Sequence, residues 1–426
     1  MNVVAAGRRT FKTEAAKLRI IKGAVGFHGY GSQVCLDGRF FACAPTQQQA
    51  KDIFWADLKA LTPTWALLHQ DRERDISESE LTIRLWGGTI LKVAGLDKPA
   101  RIEGGSWDGG VIDEYADCRP DVLDEHILPM LARGGWIDII GVPGGRNHYY
   151  RLAQSVINGT IQNAKYFHWK ASEVLHLYLG RERAEAFLSQ MRDQMDPRTY
   201  AQEFDADWIT MEGRVYYCFD ASRNVDPDVA YNPNLPVMLC LDFNVKPGVA
   251  AIAQEMETTV GGRGLAFTRI IDEIWIPDNS TTIRVCEEFC RRYRTHKGEV
   301  CLYGDATGGA RGTAKVLGSD WDLVRAVLGP VFKERLGDYA EWRNPPERVR
   351  VNALNSRLQS ADGRVWLKVH PKCVHTIQDF EGVVYAKGTG SIDKEHDPTL
   401  SHISDAVGYM VNARHPLGGL AISRQM

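Results

Sequence analysis

Long apolar runs are missing from this 426-residue sequence. No stretch approaches the roughly 20 residues that a membrane-spanning helix needs. The first residues also lack the basic-then-apolar pattern of a secretion signal. These absences predict a soluble intracellular protein that is not secreted and does not bind membranes.

Closely spaced cysteine pairs and a net basic charge are also absent. The nine cysteines include no CxxC pair, which favours reduced thiols over a disulfide framework or a zinc site. The formal net charge is −3, so any surface that binds nucleic acid must be local. The length exceeds what one ordinary hydrophobic core supports, and two or three domains are therefore expected.

The N-terminal segment has the layout of a phosphate-binding loop. Residues 2–6 can form one short strand, residues 7–13 (GRRTFKT) follow as a turn, and residues 15–21 are good helix formers. In such a loop, backbone N–H groups at the start of the helix surround the phosphates of a nucleotide.

Two side chains of this turn have the chemistry that the loop requires. Lys12 can reach the β- and γ-phosphates, and the Thr13 hydroxyl can bind Mg²⁺. The usual pattern has glycine at the positions of Ala6 and Phe11, and the second position normally needs the backbone freedom of glycine. A basic helix N-terminus without a ligand is the alternative interpretation.

A pair of carboxylates ends an apolar stretch further along the chain. Residues 110–112 (GVI) are typical of a buried parallel strand, and Asp113 and Glu114 follow directly. Catalytic groups in parallel sheets lie at the carboxyl ends of strands. Asp113 can hold the Mg²⁺ of a nucleoside triphosphate, and Glu114 can orient or deprotonate the attacking water. Alternatively, the pair forms a solvated turn.

Four segments, in this order and spacing, resemble the ATPase half of the large subunits of tailed-phage terminases, the motors that package viral DNA. They are residues 7–13, 44–51, 110–114 and 141–147. The resemblance implies an α/β fold that begins with a P-loop ATPase domain on a mostly parallel sheet. ATP and Mg²⁺ are the implied cofactors.

The resemblance also implies roles for individual residues. Glu114 would be the catalytic base, and Arg101 would be an arginine finger that acts on a neighbouring subunit. One of the two arginines after Gly7 would sense the γ-phosphate. The implied nucleotide-binding set is Gly7, Arg8, Arg9, Thr10, Lys12, Thr13 and Asp113.

Besides Phe11, two features depart from the family. Val142 stands where the family usually has a hydroxyl residue that couples hydrolysis to motion. The family also places adenine contacts upstream of the P-loop, where this sequence has only a few residues. We therefore expect that adenine is held differently or that the start is truncated.

Three aspartates in the second half stand where structural elements can converge. Asp242 and Asp305 each end an apolar strand, and Asp405 lies on a C-terminal helix, three residues after His402 and on the same face. Carboxylate oxygens are preferred ligands of Mg²⁺ and Mn²⁺. Two such ions about 4 Å apart can activate water and stabilise the leaving oxygen in phosphodiester cleavage.

This order of acids resembles the nuclease domain of the same family, an RNase H-like α/β domain. The resemblance implies that Asp242, Asp305 and Asp405 are metal ligands and catalytic residues for Mg²⁺ or Mn²⁺. His402 would orient Asp405 or contact substrate, with a capping or packing role as the alternative. Asp272 and Glu273 are a further possible ligand pair, although an exposed position at a sheet edge fits them better.

The best linker candidate is residues 226–236, which contain three prolines and two asparagines. We therefore predict an ATPase domain over residues 1–205, a linker over residues 206–232 and a nuclease domain over residues 233–426. Basic residues at 291–297 and at 343–350 are candidates for contacts with DNA phosphates, or are solvated helix faces.

The function implied by the resemblance is ATP-driven translocation of double-stranded DNA into a procapsid, with endonucleolytic cleavage of concatemers. The implied partners are double-stranded DNA, the portal protein, the small terminase subunit and further copies of the chain in a ring. The implied location is the host cytoplasm, transiently at the portal. Two alternatives stay open: an endonuclease with a non-hydrolysing ATPase-like domain, and a non-catalytic scaffold that binds DNA or capsid.

Overall fold

The computed structural model describes residues 1–26, 37–131, 135–145, 147–209, 212–243, 247–260, 263–306, 319–386, 389–395, 397 and 399–417. They form two compact units, one of Met1–Ala186 and Ala201–Thr210, the other of Phe187–Tyr200 and Met211–Met426. None of the helices within these ranges is long and apolar enough to cross a membrane.

The first unit is built on an eight-stranded sheet. Its strands are β1 (Asn2–Ala6), β2 (Arg39–Ala44), β3 (Ile76–Ser77), β4 (Thr82–Arg84), β5 (Ile90–Gly95), β6 (Gly109–Ile112), β7 (Trp136–Gly141) and β8 (Lys165–Trp169). The strand order is β3-β4-β5-β2-β6-β7-β1-β8. All pairs from β5 to β8 are parallel, and β3 and β4 add an antiparallel edge. The prediction of a mostly parallel sheet is confirmed.

Helices cover both faces of this sheet. The helices of the first unit are α1 (Lys12–Val25), α2 (Gln47–Ala50), α3 (Ala56–Leu61), α4 (Arg72–Asp75), α5 (Leu128–Met130), α6 (His148–Ile157), α7 (Ala171–Val174) and α8 (His176–Leu179). They are followed along the chain by α9 (Arg181–Gln194) and α10 (Pro197–Phe204). Lys51–Trp55 and Leu123–Ile127 are π-helical turns, and the division between the units falls within α9 and α10. Successive residues of β1 belong to two different apolar clusters, because side chains alternate across a strand.

The second unit has a six-stranded mixed sheet. Its strands are β9 (Val237–Asp242), β10 (Gly248–Val260), β11 (Arg263–Ile276), β12 (Val300–Gly304), β13 (Leu336–Asp338) and β14 (Leu367–Val369). Strands β9, β10 and β11 form an antiparallel meander, and β12 pairs in parallel with β9. The helices are α11 (Ala221–Asn224), α12 (Thr282–Tyr293), α13 (Asp320–Phe332), α14 (Glu347–Leu358), α15 (Val374–Gly382) and α16 (His402–Arg414).

Much of the segment predicted as a linker, residues 206–232, packs into the second unit. Val215, Tyr216 and Phe219 are buried in its core, and the Asn224 amide donates hydrogen bonds of 3.0 Å to two backbone carbonyls of that unit. Burial of the apolar and aromatic residues at 215–219 fixes this segment in the second unit, although the composition that follows them is rich in proline and asparagine. The structural division therefore differs from the predicted start of the second domain at residue 233.

Candidate active sites

The turn between β1 and α1 requires glycine at its first position. A Cβ atom on Gly7 would lie 2.4 Å from the carbonyl oxygen of Phe204. The Gly7 carbonyl accepts a hydrogen bond of 2.7 Å from the Thr10 hydroxyl. This contact holds the turn in a compact shape at the carboxyl end of β1.

Phe11 takes the backbone conformation that glycine normally provides in this loop. Its φ is 58° and its ψ is 15°, in the left-handed region, which is uncommon for a residue with a bulky side chain. Its carbonyl accepts the first hydrogen bond of α1, from Ala15 N at 2.8 Å. The departure from glycine therefore leaves the shape of the loop intact, at a cost of roughly 1–3 kcal/mol in backbone strain.

Thr13 and Asp113 meet although 100 residues separate them in the sequence. The Thr13 hydroxyl donates a hydrogen bond of 2.6 Å to Asp113 Oδ2, and Oδ1 accepts one of 2.8 Å from the Glu114 backbone N–H. In the sheet, β7 alone separates the strand of Asp113, β6, from β1. Lys12 is buried beside them, so the predicted phosphate and metal contacts share one place.

Burial shapes the acidity of the two carboxylates. It raises the pKa of Asp113, against the opposing effects of the Thr13 hydrogen bond and the Lys12 charge. Burial, followed by the charge of Asp113, raises the pKa of Glu114, while the positive charges of Lys12 and Arg8 oppose the rise. A raised pKa brings a carboxylate closer to the range in which it can exchange a proton with water near neutral pH.

The arginines predicted to act on nucleotide have different surroundings. Arg8 forms an ion pair with Glu203, a partner that the sequence did not reveal. Arg9 lines the pocket in front of Lys12. Arg101 follows β5 and donates a hydrogen bond of 2.7 Å to Asp97. Strands β2, β6 and β7 lie between β5 and β1, a lateral separation of roughly 19 Å, so Arg101 lies away from the turn between β1 and α1 of its own chain.

Two of the three predicted metal ligands lie side by side in the second sheet. Leu241 in β9 pairs with Gly304 in the parallel strand β12, so the next residues, Asp242 and Asp305, leave the same edge of the sheet. Neighbouring strands are about 4.8 Å apart. The pairing register of β9 and β12 therefore places the carboxylates of Asp242 and Asp305 on neighbouring strands at the same level.

Helix α16 brings the third aspartate to the same edge. His402 Nδ1 lies 3.3 Å from Asp242 Oδ2, and Asp405 follows one helical turn later on the same face. His402 therefore contacts Asp242, and its expected role in orienting Asp405 or contacting substrate stays a prediction. A further support is buried Asp379, which accepts a hydrogen bond of 2.9 Å from Ser404 N in the first turn of α16. Burial raises the pKa of Asp379 to about 6.

Positive side chains hold both oxygens of Asp405. Arg350 Nη2 donates to Oδ1 at 2.8 Å, and Lys394 Nζ donates to Oδ2 at 3.0 Å. Arg350 is buried, and its Nη1 atom has no hydrogen-bond partner among the described residues. Asp305 in turn accepts a hydrogen bond of 2.7 Å from the Asn344 amide.

The carboxylates of Asp242, Asp305 and Asp405 are suitable ligands for divalent cations. Their oxygens are not all close enough together to surround a single ion. Burial raises the pKa of Asp242, as do the negative charges of Asp405 and Asp305, while the His402 hydrogen bond opposes this. A bound cation reduces the electrostatic repulsion between clustered carboxylates of this kind. The ligand atoms of these three aspartates do not all lie within 4.8 Å of one another, whereas those of one partly exposed trio elsewhere do. Among the described residues, that trio is Asp121, Glu125 and His126.

Other acidic and basic candidates have structural roles. Glu273 is buried, contrary to the expected edge position, and its carboxylate accepts hydrogen bonds of 2.8–2.9 Å from His375 and Thr376 at the start of α15. Arg291 and Arg292 pair with Glu288 on their own helix. Arg350 is also buried, and contacts of the basic segments with DNA phosphates stay a prediction.

The two units define a class of fold: a P-loop-type sheet followed by an RNase H-like sheet. No family model and no curated protein matches the sequence, whereas solved structures do match the fold. The large terminase of a thermophilic bacteriophage has a TM-score of 0.57 and 15% identity, over 96% of this chain and 93% of that chain. The same protein in complex with ATP-gamma-S matches with a TM-score of 0.57, 14% identity and the same coverage, 96% and 93%.

A third structure, the large terminase of bacteriophage HK97, covers 96% of this chain and 90% of that chain at 13% identity. Its TM-score is 0.40. The matches to the thermophilic-phage protein alone establish that this chain has the fold of phage large terminases, as the sequence resemblance predicted.

Proposed function

We propose that the protein is a terminase large subunit, a motor that hydrolyses ATP to move double-stranded DNA into a procapsid and that cleaves concatemeric DNA. One observation carries the proposal. Within the large-terminase fold, each unit brings together side chains that are candidates for one reaction: Thr13 with Asp113 in the first, and Asp242 with Asp305 and His402 in the second. The complex of the thermophilic-phage terminase with ATP-gamma-S supports a nucleoside triphosphate as the ligand.

In the first unit, the turn and α1 would bind the phosphates of ATP. Backbone N–H groups at the start of α1 and the Lys12 ammonium group contact the phosphate oxygens. Thr13 and Asp113 hold Mg²⁺, which supplies neutralising charge when it is bound. Glu114 orients the attacking water and accepts its proton, a role that its raised pKa supports.

Arginines would complete this site from two directions. Arg8 or Arg9 contacts the γ-phosphate from within the turn. Arg101 acts on the nucleotide of a neighbouring copy in a homo-oligomeric ring, which is consistent with its position at a distant strand of its own sheet. An arginine that reaches the site from a neighbour stabilises the charge that develops in the transition state.

In the second unit, Asp242, Asp305 and Asp405 would hold Mg²⁺ or Mn²⁺. Bound cations supply an activated water and stabilise the leaving oxygen during phosphodiester cleavage. His402 orients the carboxylate of Asp242 through its hydrogen bond. Lys394, which is more than half exposed, can move away from Asp405 when a cation binds.

The partners and location follow from this function. We propose that the chain acts on double-stranded DNA with the small terminase subunit and the portal protein, in the host cytoplasm and transiently at the portal. The shared fold with the thermophilic-phage large terminase supports this assignment.

ATP hydrolysis by the full chain, with and without double-stranded DNA, tests the first activity. We expect DNA to stimulate turnover in the wild type. We expect Glu114→Gln to lower turnover roughly 100-fold or more, because the base is lost while nucleotide binding is kept. Wild-type turnover no faster than that of the variant would favour an endonuclease whose ATPase-like unit does not hydrolyse ATP.

Plasmid cleavage in the presence of Mn²⁺ tests the second activity. We expect the wild type to nick or linearise the plasmid and Asp305→Ala to leave it intact. Equal cutting by both proteins would remove Asp305 from the site. A wild-type protein that neither cuts the plasmid nor hydrolyses ATP would favour a non-catalytic scaffold.

A further inference from the structure

The pocket in front of the phosphate-binding turn has an aromatic wall. The pocket has a volume of about 230 Å³ and is lined by residues of the turn and by Tyr178. Tyr178 belongs to α8, which follows β8, and β8 is the strand next to β1. Sheet order therefore brings an aromatic residue from position 178 to a pocket built around positions 9–14.

Phe11 and Tyr178 form this wall together. Their ring centroids are 4.3 Å apart with an angle of 66° between the ring planes. The two residues remain 46% and 42% exposed, respectively, so each ring keeps apolar surface that faces solvent. Exposed aromatic surface inside a polar pocket is the kind of surface that a flat, apolar ligand group covers.

A hydrogen bond fixes the position of the wall relative to the turn. The Tyr178 hydroxyl donates to the Arg9 carbonyl at 2.8 Å. The backbone of Phe11 is set by its place in the turn, directly before Lys12, and its ring packs edge to face against that of Tyr178. The rings are thus already organised, and a ligand that packs on them does not have to order them first.

The pocket has two chemically different walls. Lys12 and Thr13 line it with groups that suit phosphate oxygens and a metal ion, and Phe11 and Tyr178 line it with aromatic carbon. A nucleoside triphosphate has the same two parts, an anionic chain and an aromatic base. A free polyphosphate has the first part only.

We propose that Phe11 and Tyr178 are a stacking platform for the base of the nucleoside triphosphate. This inference rests on the proposed nucleotide-binding function of the same pocket. It also gives a role to the phenylalanine that replaces the usual glycine, since its ring adds apolar surface while its backbone keeps the required conformation. Stacking does not read the edge of a base, so the platform accepts adenine and guanine alike.

Isothermal titration of the full chain with Mg²⁺ and ATP-gamma-S or inorganic tripolyphosphate tests the platform. Tripolyphosphate lacks the base and reports the phosphate contacts alone. We expect the wild type to bind ATP-gamma-S more tightly than tripolyphosphate. We expect Tyr178→Leu to weaken binding of ATP-gamma-S roughly tenfold, in the range typical of base stacking, and to leave binding of tripolyphosphate unchanged.

Tyr178→Phe is the matched control. It keeps the ring and removes only the hydrogen bond to Arg9, so we expect affinity for ATP-gamma-S within about twofold of the wild type. A loss in Tyr178→Phe as large as in Tyr178→Leu would show that the hydroxyl, and not the ring, sets the affinity, and would overturn the platform. An equal loss for both ligands in Tyr178→Leu would also overturn it.

Phe11→Gly is a second, independent variant. Glycine relaxes the left-handed backbone and removes one ring of the platform. We expect weaker binding of ATP-gamma-S and unchanged or tighter binding of tripolyphosphate. Unchanged binding of ATP-gamma-S in both Phe11→Gly and Tyr178→Leu would overturn the inference.

Binding of the two ligands by the wild-type protein distinguishes failure of the platform from failure of the proposed nucleotide site on which it rests. If it binds tripolyphosphate and ATP-gamma-S equally well, the platform is wrong while the phosphate site stands. If it binds neither ligand, the proposed nucleotide site itself is wrong, and the platform with it.

Discussion

The two candidate sites hold a buried carboxylate in different ways. Asp113 in the first unit is held by the Thr13 hydroxyl and a backbone N–H, both neutral donors. Asp405 in the second unit is held by Arg350 and Lys394, both positively charged. A cation that binds Asp113 can share it with Thr13, whereas a cation that binds Asp405 must compete with a protein cation for at least one oxygen.

The difference follows from how each site is assembled. Lys12 and Thr13 are the first two residues of α1, directly after the turn, so one short segment carries much of the first site. Asp242, Asp305 and Asp405 come from two strands and a C-terminal helix, and the second site exists only when those elements are packed. We therefore expect the first site to depend on the shape of one loop and the second on charge balance among distant elements.

The largest expected effect comes from removing one carboxylate from each site. Asp242→Asn should lower metal-dependent DNA cleavage roughly 100- to 1000-fold, about 3–4 kcal/mol, and leave ATP hydrolysis unchanged. Asp113→Asn should do the reverse, since Asn binds a divalent cation less well than Asp. Plasmid cleavage and ATP hydrolysis are both measured for each variant, so that each variant serves as the control for the other. Loss of both activities in either variant would contradict two independent sites.

A substitution in the turn should break only the first site. Gly7→Ala introduces a Cβ that would lie 2.4 Å from a backbone oxygen of Phe204. We expect the first unit to lose roughly 2–4 kcal/mol of unfolding free energy, measured by urea denaturation, together with ATP hydrolysis. The control is Gly329→Ala in α13, where a Cβ meets no atom within 4 Å and alanine favours the helix. Equal destabilisation by Gly7→Ala and Gly329→Ala would refute the close approach of Gly7 to the carbonyl oxygen of Phe204.

The helix start that presents Asp405 should respond to pH through Asp379. Its folded pKa of about 6 lies above its ordinary value of 3.8. Its contribution to stability is therefore full below about pH 4 and is lost as the pH rises from there through about 6. Asp379→Asn lacks this ionisation, so we expect its melting temperature to gain on the wild type between about pH 5 and pH 7.5, by the equivalent of roughly 1–2 kcal/mol. A difference that is constant with pH would contradict a raised pKa.

The smallest expected effect concerns the competition for Asp405. Lys394→Met removes one positive partner of this carboxylate, so Mn²⁺ should bind to the second unit roughly three- to tenfold more tightly, in line with a partly exposed ion pair. Titration of Mn²⁺ followed by electron paramagnetic resonance measures the change. Lys372→Met is the matched control, because Lys372 pairs with Asp272 instead. Weaker binding in Lys394→Met would show that Lys394 supports the metal site and does not compete with it.

Several parts of both sites were predictable from sequence because they depend on local rules. An apolar run followed by an acid marks the end of a buried strand, which located Asp113, Asp242 and Asp305. The order of glycine, lysine and threonine after a first strand located the turn that we propose binds phosphate. Such patterns constrain a strand or a helix start directly, since neighbouring residues alone determine them.

Other features were not predictable, because their partners lie far away in the sequence. Glu203 pairs with Arg8, and Glu273 is buried at the start of α15. Residues 215–219 pack into the second core although prolines follow them. In each case packing of a distant segment decides whether a polar group is solvated or paired, and one residue's neighbours in the chain do not carry that information.

The sequence by itself determined the two sheets, the turn with Lys12 and Thr13, and the strand ends that carry the acids, since periodicity and turn chemistry act over a few residues. Only the tertiary structure decided that α16 places His402 on Asp242, that Arg350 and Lys394 neutralise Asp405, and that Tyr178 meets Phe11. Several of these contacts join distant segments, and the Tyr178 hydroxyl bonds to a carbonyl 169 residues away. Such contacts form because burying apolar surface fixes where distant elements pack, and polar side chains then bond to whatever that packing brings within reach.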